Sequence, residues 1–420
     1  MEPTMKSLWQ WMALACLCVP PAWGQADLEA WLPPEAQVRA TLLQSPALQA
    51  ALSHREALRA RARATEVESA EWGLRLSEQQ RRVQDPLQRF REQVVQVERP
   101  LRAWGKATLD AGLAEQGREV ARIGYADAWH ETSRDLMQHW FEALRSAREW
   151  QHAQAVRALA ATLDAHVQAR LRHGDVSSLD ASLARAEVQR ADAELALAQA
   201  QASASQTQLL RRYPGLPQPQ WPLEAGQPAL RIPDAREVET LREAFLGHHH
   251  GLNLLRAQAQ YQQRMAERVA RDRLPDPTVG VFRSRERAGV EQVQGVSLAF
   301  ALSGDYRAAL AQASAADALV LQEQVQQLTA QLQGEFEARW QLLRHQQTAV
   351  AALEAATASQ TLAAEKSFRA YQLGEHSMTE LVQNRRLAQT QQLELAKLKL
   401  EQVKTWALLQ LDLHRIWDLD

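Results

Sequence analysis

Leu373-Gly374-Glu375-His376-Ser377 repeats, 200 residues downstream, the pattern of His173-Gly174-Asp175-Val176, in which a glycine and an acidic residue interrupt a helical sequence. Glycine adopts the left-handed conformation that ends a helix at little cost, and a following serine can cap the amides of the next helix. Ser177 or Ser178 can do this in the first copy, and Ser377 in the second. Each copy is therefore predicted to be the turn of a helical hairpin.

Long proline-free segments surround each predicted turn. Leu101 to Tyr213 and Thr278 to Asp420 contain none of the 16 prolines. In the first segment an apolar stripe predicts one helix from about Thr108 to Arg172, and a second helix returns from about Ser178 to Arg212. The first helix would span roughly 100 Å, which is too long for a helix without a partner. We therefore predict two antiparallel helical hairpins, the second running to the C-terminus.

The two halves of the chain look like copies of one unit. Trp140 and Trp340 lie 200 residues apart, as do Gly174 and Gly374. Six prolines between the halves predict an extended linker. The predicted division is a first repeat over residues 25–213, a linker over 214–234 and a second repeat over 235–420, with hairpin tips at about 173–178 and 373–378.

Each repeat also contains two short stretches that alternate as β-strands do. The clearest is Gln294 to Leu302, in which large apolar residues alternate with Gly, Ser and Ala, a pattern typical of a membrane-barrel strand. Strands are predicted at about 71–83 and 90–101 in the first repeat, and at about 277–286 and 292–302 in the second. Charged stretches from about Glu78 to Arg89 and from about Arg283 to Glu291 are predicted to be the loops that join each pair.

Beyond the first 24 residues, no stretch of sequence approaches the ~20 apolar residues that a membrane-spanning helix needs. Such a chain can cross a bilayer only as a closed barrel, because lipid offers the backbone no hydrogen-bond partners. Four strands cannot close a barrel, since the smallest membrane barrels need about eight. The sequence therefore predicts that several protomers share one barrel wall.

The first 24 residues have the pattern of a secretory signal peptide. Lys6 precedes an apolar run, and small residues then mark a cleavage site before Gln25 or Asp27. Both cysteines, Cys16 and Cys18, fall in that run, so the mature protein would contain no thiol. A lipoprotein acylated at Cys16 is the alternative, but the apolar run is short and lacks a leucine three positions upstream. We expect an exported protein.

Composition and motifs exclude several classes of function. The 48 Lys and Arg residues are interleaved with 50 Asp and Glu residues, for a net charge of -2, so no basic face is set aside for nucleic acid. The sequence contains no P-loop, GxSxG, HExxH or CxxC motif. We therefore predict a protein that is not an enzyme, binds no cofactor and takes the energy for any transport from a partner.

Two further phrases carry a resemblance to a known family. Val97-Glu98-Arg99-Pro100-Leu101-Arg102-Ala103-Trp104-Gly105-Lys106 resembles the strand-to-helix junction of the TolC-like outer-membrane efflux proteins, and Leu274-Pro275-Asp276-Pro277-Thr278-Val279-Gly280 resembles the start of their third strand. The second phrase is most similar to the heavy-metal, cobalt-zinc-cadmium branch. The resemblance implies a mainly α fold of duplicated hairpins with a small membrane β-barrel portion. It also implies a homotrimer, in which twelve strands form the barrel and the helices form an α-barrel tunnel.

The same resemblance implies a location and partners. The chain would be an exit duct in the lipid of the outer membrane of a Gram-negative bacterium, with a long periplasmic extension. A periplasmic adaptor (membrane fusion) protein would dock at the hairpin tips around Gly174, Asp175, Gly374 and Glu375. An inner-membrane pump of the resistance-nodulation-division type would supply the cargo, with heavy-metal cations among the candidates.

The resemblance also implies a periplasmic gate. Tyr371 and Glu380 match the tyrosine and acidic positions that form the family's constriction, and Asp180 is the counterpart in the first hairpin. Acidic rings attract cations and can be held shut by hydrogen bonds and ion pairs. The sequence departs from the family at His376, where an arginine is found, and at Gln383, where a second acid is found. The alternative is that the three candidates are solvated hairpin residues.

Two other features have a functional and a structural interpretation. His248-His249-His250 suggests a metal site, but three consecutive imidazoles cannot all face one ion and no cysteine or carboxylate pair lies nearby in sequence. A solvated loop before a helix is expected there, with no metal. Trp140 and Trp340 are expected to be packing anchors between helices.

Two other protein classes also contain long helical hairpins. A periplasmic adaptor has one such hairpin flanked by Gly-rich and Val-rich sheet domains, whereas this sequence predicts two hairpins with strands at equivalent places. A coiled-coil scaffold would not explain the alternation from Val296 to Leu302. Both remain alternatives to the duct, and extraction that requires detergent would separate the duct from either.

Overall fold

A computed structural model describes residues 28–67, 70–220, 230, 234–302 and 304–419. The signal-peptide prediction, with Cys16 and Cys18, lies outside the described residues, and so does most of the predicted linker beyond residue 220. The described part is mainly helical and contains one small antiparallel sheet, as the sequence predicts.

The helices and strands occur in the same order in the two halves. The first half contains α1 (Glu35–Gln44), α2 (Pro46–Val67), β1 (Gly73–Gln84), β2 (Leu87–Pro100), α3 (Lys106–Arg172) and α4 (Ser178–Arg212). The second half contains α5 (Ala235–His248), α6 (His250–Arg271), β3 (Pro277–Glu286), β4 (Glu291–Phe300), α7 (Asp305–Leu373) and α8 (Met378–Asp412). Among the described residues, no helix is both long enough and apolar enough to cross a membrane.

The two hairpin turns have the predicted backbone conformation. Gly174 has a φ of 78° and Gly374 a φ of 81°, in the left-handed region that glycine adopts without strain. The amide of Asp175 donates to the carbonyl of Arg170, and that of Glu375 donates to the carbonyl of Ala370. Each turn therefore satisfies the last carbonyls of its incoming helix before the chain reverses.

Helix pairing gives the long helices their stability. Along its length α3 packs against α4, α2 and α6, and α7 packs against α8 and α6. The largest apolar cluster lies along the middle of α3, where Leu136, Met137 and Phe141 are buried. In the same cluster the Trp140 indole donates to the carbonyl of Trp31 at 2.8 Å. Trp340 is partly buried in the equivalent cluster of the second half, so both tryptophans are packing residues.

The four strands form a sheet in the order β1-β2-β3-β4, and they extend through most of the stretches predicted to be charged loops. That prediction is wrong. Arg82 pairs with Arg89 and Arg285 pairs with Gln292, so the ladders continue nearly to the ends. Charged side chains are compatible with these strands because they pair across them, as Arg81 does with Glu92 at 3.1 Å. The chain reverses at Asp85-Pro86 and at the short turn of residues 287–289.

The two sequence segments that resemble the family, Val97 to Lys106 and Leu274 to Gly280, lie against each other where the sheet meets the helices. Lys106, only 1 % exposed, donates from Nζ to the carbonyl of Leu274 and to Oδ2 of Asp276, both at 2.9 Å. The Trp104 indole donates to the carbonyl of Pro275 at 2.9 Å. A buried ammonium requires such partners, because desolvation of an unpaired charge is costly. Lys106 therefore fixes the start of α3 beside the start of β3.

Lys106→Met should lower the thermal unfolding midpoint, by an amount equivalent to about 2 kcal/mol, because it leaves Asp276 without its cation. Circular dichroism at helix wavelengths in detergent would measure the shift. Lys366→Met, at an exposed position of α7, is the matched control and should change the midpoint little. Equal shifts in the two variants would contradict the assigned role of Lys106.

Candidate functional site

One face of the sheet is apolar and exposed in the half nearest the helices, and this region is called the apolar face. The half further from the helices carries charged side chains on the same side of the sheet, among them Glu78, Arg91, Arg283 and Arg285. A single row crosses all four strands through Leu74, Val97, Val281 and Val296, which are paired in register. Leu74 is 65 % exposed and Val296 is 74 % exposed. Side chains two residues apart share a face, so the same face also carries Leu76, Val95, Val279, Leu298 and Phe300. An apolar surface of this size, facing away from the rest of the chain, indicates contact with a non-aqueous phase or a partner.

The opposite face of the sheet is polar. Arg75 approaches Glu98 at 3.5 Å across β1 and β2, and Gln96 donates to the same carboxylate at 2.8 Å. Arg81 reaches both Glu92 and Glu286, so one guanidinium links three strands. Polar networks of this kind are suited to an aqueous lumen.

An aromatic side chain marks the end of the sheet nearest the helices. The guanidinium of Arg99 lies 5.5 Å from the ring centre of Trp72, in a cation–π contact. Trp72 is exposed, and so is Trp104 at the same end. Tryptophan is enriched where apolar protein surface meets the polar headgroup region of a membrane. The position of these rings sets one boundary of the apolar face.

Both outer edges of the sheet are open within the part of the chain that the structure describes. The strand order places β1 at one edge and β4 at the other. An exposed edge presents unpaired backbone donors and acceptors that another strand can complete. The sheet is therefore a segment that can be extended on both sides.

Tyr371 lies between the two hairpin tips. It is 7 % exposed and packs with Leu163, Val167 and Leu381 in one cluster. The guanidinium of Arg170, in the first hairpin, lies 5.7 Å from its ring centre. Burial, and then the negative charge of Asp180, raise the pKa of the Tyr371 phenol, so it stays protonated at neutral pH. The structure thus brings Tyr371 together with Asp180.

The two acidic gate candidates have a structural role in the first turns of α4 and α8. Asp180 accepts from the backbone amide of Ser177, whose hydroxyl accepts from the amide of Asp180. Glu380 and Ser377 form the same capping box. The hydrogen bond from the Ser377 amide, then that from its hydroxyl, lowers the pKa of Glu380. Glu380 is exposed and charged, and whether it gates anything remains a prediction.

Sequence reasoning missed an ion pair that joins the hairpins. Glu187 of α4 is 8 % exposed and pairs with Arg386 of α8, with Nε at 3.1 Å from Oε2. Arg190 also contacts this carboxylate at 3.2 Å. A signal was present, since Glu187 and Arg386 lie at nearly equivalent distances after Gly174 and Gly374. Opposite charges at matching repeat positions predict contact once the hairpins are known to be adjacent.

A second missed contact involves His376, one of the departures from the family pattern. Its Nδ1 lies 3.3 Å from the hydroxyl oxygen of Ser367. The same oxygen accepts a hydrogen bond from the side-chain amide of Asn384 at 3.2 Å. Ser367 is buried. This network holds α7, the turn and α8 together at the second tip, so His376 supports the turn from within its own hairpin.

No protein-family model matches the chain, and no curated protein matches it in sequence. Solved structures do match in fold. The outer membrane protein VceC from Vibrio cholerae has 16 % identity and a TM-score of 0.73, with 92 % of this chain and 96 % of that chain covered. The outer-membrane channel OprN has 13 % identity and a TM-score of 0.78, with 94 % and 93 % covered.

A third match is the CmeC outer membrane channel of Campylobacter jejuni, with 12 % identity, a TM-score of 0.71, and 94 % of this chain and 87 % of that chain covered. Identities this low show the fold alone. The fold implied by the resemblance to TolC-like proteins, with two long hairpins and a small antiparallel sheet, is thereby confirmed.

Removing the pair between Glu187 and Arg386 should weaken the contact between the hairpins. A double-mutant cycle with Glu187→Gln and Arg386→Gln, read by thermal unfolding, should give a coupling of about 1 kcal/mol, since the carboxylate is buried and the cation half exposed. The matched control is Arg157 with Asp192, an exposed pair within the first hairpin, which should give a coupling near zero. Similar couplings for the two pairs would argue against a special role for Glu187.

Proposed function

We propose, from the fold shared with outer-membrane channels, that this chain is the exit duct of a tripartite efflux system in the outer membrane of a Gram-negative bacterium. It conducts passively what an inner-membrane pump delivers through a periplasmic adaptor. The single observation that carries the proposal is the sheet, which has an exposed apolar face, a polar opposite face and two open edges. The proposal also includes export across the inner membrane, directed by the N-terminal segment.

The duct forms when three copies join their sheets. β4 of one copy pairs with β1 of the next, which gives twelve strands and leaves no edge in contact with lipid. The row through Leu74, Val97, Val281 and Val296 then faces lipid around the whole ring. The network of Arg81, Glu92 and Glu286 faces the water-filled lumen.

The helices continue the duct away from the membrane. All four strands join helices at the end of the sheet where Lys106 and Asp276 meet, and the turns lie at the other end. At about 1.5 Å per residue, α3 and α7 reach roughly 100 Å from that junction. The tips around Gly174, Asp175, Gly374 and Glu375 are then at the far, periplasmic end, where the adaptor docks.

The cargo proposal rests on the resemblance to the heavy-metal branch, and a pump of the resistance-nodulation-division type would deliver it. The polar face of the sheet carries the carboxylates of Glu92, Glu98, Glu286 and Glu291 and the guanidinium groups of Arg75 and Arg81, so its negative charges outnumber its positive ones. Carboxylates lining a pore favour the passage of cations over anions. Heavy-metal cations are therefore the proposed cargo.

The first experiment is reconstitution of detergent-purified mature protein in planar bilayers, with its mass determined in the same detergent. Trimers that form stable channels and prefer cations, including Zn²⁺, over anions are expected. A water-soluble monomer without channels would contradict the duct and favour an adaptor or a coiled-coil scaffold. Channels that exclude divalent cations would contradict only the cargo.

A second prediction concerns the proposed periplasmic gate at Asp180 and Glu380. Asp180→Ala with Glu380→Ala should raise single-channel conductance severalfold and weaken cation preference, because both remove negative charge near the proposed constriction. Ser177→Ala with Ser377→Ala breaks the same capping boxes but keeps both carboxylates, so it is the matched control. If the control raises conductance equally, the boxes matter for stability and the carboxylates are not the gate. Unchanged conductance in the variant with Asp180→Ala and Glu380→Ala would also show that the carboxylates are not the gate.

A further inference from the structure

Five histidines from three parts of the chain converge beside the middle of α3. This histidine cluster consists of His130 on α3, His248, His249 and His250 at the junction of α5 and α6, and His414 in the tail after α8. His130 is 6 % exposed, and His249 and His250 are half-buried. The expected solvated loop at residues 248–250 is therefore wrong, because tertiary packing covers two of its three imidazoles.

The rings of the cluster are in mutual contact. His130 and His414 are stacked, with centroids 5.7 Å apart and planes inclined by 17°. His250 completes a triangle, with its centroid 4.5 Å from His414 and 5.7 Å from His130. His249 also lies near, 6.4 Å from His130. At these distances a positive charge on any one ring raises the free energy of a charge on its neighbours.

Backbone contacts make the cluster a junction between the two repeats. His249 caps α6 by accepting the amide of Leu252 at 3.2 Å. Nε2 of His414 donates to the carbonyl of His248 at 3.1 Å, which ties the tail to the α5–α6 junction. The Trp129 indole of α3 donates to the carbonyl of Trp417 at 2.9 Å and ties the tail to the first repeat.

Charged groups from every packed element face the cluster. They are Asp127, Glu131 and Arg134 on α3, Arg339 on α7, Asp412 at the end of α8 and Asp418 in the tail. Asp412 is buried and contacts Arg134, Arg339 and Nε2 of His130, the last at 3.4 Å. Nδ1 of His414 lies 3.3 Å from Asp418. The charge of the Asp412 carboxylate is thus balanced by the two arginines and His130.

The histidines have different proton affinities. Burial opposes a charge on His130, but its contacts with Asp412 and Glu131 outweigh burial and raise its pKa to about 8. Burial, then the charges of His414 and His130, lower the pKa of His250 to about 4. Burial and His130 also lower the pKa of His249. At neutral pH the cluster therefore holds a protonated His130 beside neutral rings at positions 249 and 250.

We propose that the histidine cluster is a proton-sensitive contact between the two repeats. This contact is stable near neutral pH and is weakened in mild acid. Added protons place second and third positive charges beside His130 in a partly buried site. Mutual repulsion then moves the α5–α6 junction and the C-terminal tail away from α3. The inference rests on this packing and does not require the channel function.

The sign of the pH dependence follows from the shifts. An exposed histidine titrates at about 6.5. The pKa values of His249 and His250 are lowered in the packed cluster, so these histidines take up protons more readily when the cluster is open to solvent. The contact between the repeats therefore weakens as pH falls from about 6.5 towards 4. His130 has the opposite sign, so its contribution is complete below about 6.5 and is lost as pH rises through about 8. The contact between the repeats is therefore most stable near pH 6.5.

A proton is favoured over a metal ion as the ligand of the cluster. Within the described residues, no group of three or more His, Cys, Asp or Glu side chains has an arrangement that could hold a metal. Nitrogens of His130 and His414 already face carboxylate or carbonyl oxygens. A ring nitrogen whose hydrogen points at an oxygen cannot bind a metal ion at the same time.

Hydrogen–deuterium exchange of the purified full chain tests the proposal. Between about pH 6.5 and about pH 5, after correction for intrinsic rates, amides of residues 245–254 and 409–419 should gain about tenfold in exchange, while hairpin amides at 163–171 should not. His249→Asn with His250→Gln keeps a capping side chain and removes both titrating rings. This variant should lose the pH-dependent gain.

The matched control is His54→Gln with His345→Gln, which replaces two exposed histidines on α2 and α7 and should keep the full gain. An unchanged exchange rate in the two cluster segments of the wild type would overturn the proposal, and so would a gain that persists in His249→Asn with His250→Gln. Faster exchange at neutral pH after EDTA treatment would also overturn it, because a metal would then hold the cluster.

Discussion

A helix of nearly 70 residues gains most of its stability from packing along its length, because local hydrogen bonding alone is marginal in water. In this chain α3 has 67 residues and α7 has 69, so each needs a partner that runs antiparallel to it for a long distance. The turns at Gly174 and Gly374 provide that partner for the distal half of each helix, and α2 and α6 provide it for the proximal half. The position of the sheet, the tips and the tail all follow from this arrangement.

The duplication makes the two halves alike in topology, but the contacts between them use different residues. Near the tips, Glu187 and Arg386 are joined, although they occupy nearly equivalent positions of the two repeats. At the middle, Asp412 contacts Arg134 of the first repeat and Arg339 of the second. One buried carboxylate therefore ties both long helices to the end of α8. Sites between repeats are where equivalent positions can acquire different charges and different roles.

Much of the helical architecture could be predicted from the sequence, because glycine, serine and the absence of proline act locally. The predicted return helix, Ser178 to Arg212, has those bounds in the structure. The length of the strands could not be predicted, since Arg81 and Glu92 look like loop residues until their pairing across the sheet is known. The histidine cluster was missed for the same reason, as His130, His250 and His414 meet only after the two repeats have packed together. For Asp180 and Glu380, serine three residues before an acid was a visible capping signal.

The capping boxes limit how the acidic tip residues can contribute to a gate. A carboxylate that accepts from the N-cap amide of its own helix is already oriented, so it can present charge without a further change of rotamer. Asp180 does this beside Tyr371, whose buried phenol oxygen has no hydrogen-bond partner among the described residues. An unsatisfied buried hydroxyl costs free energy, and a movement of the tips that brought a partner to it would recover that cost. The capping boxes hold Asp180 and Glu380 to their own helices, so a change in the contacts between the hairpins would alter the surroundings of Tyr371 before it altered the orientation of either acid.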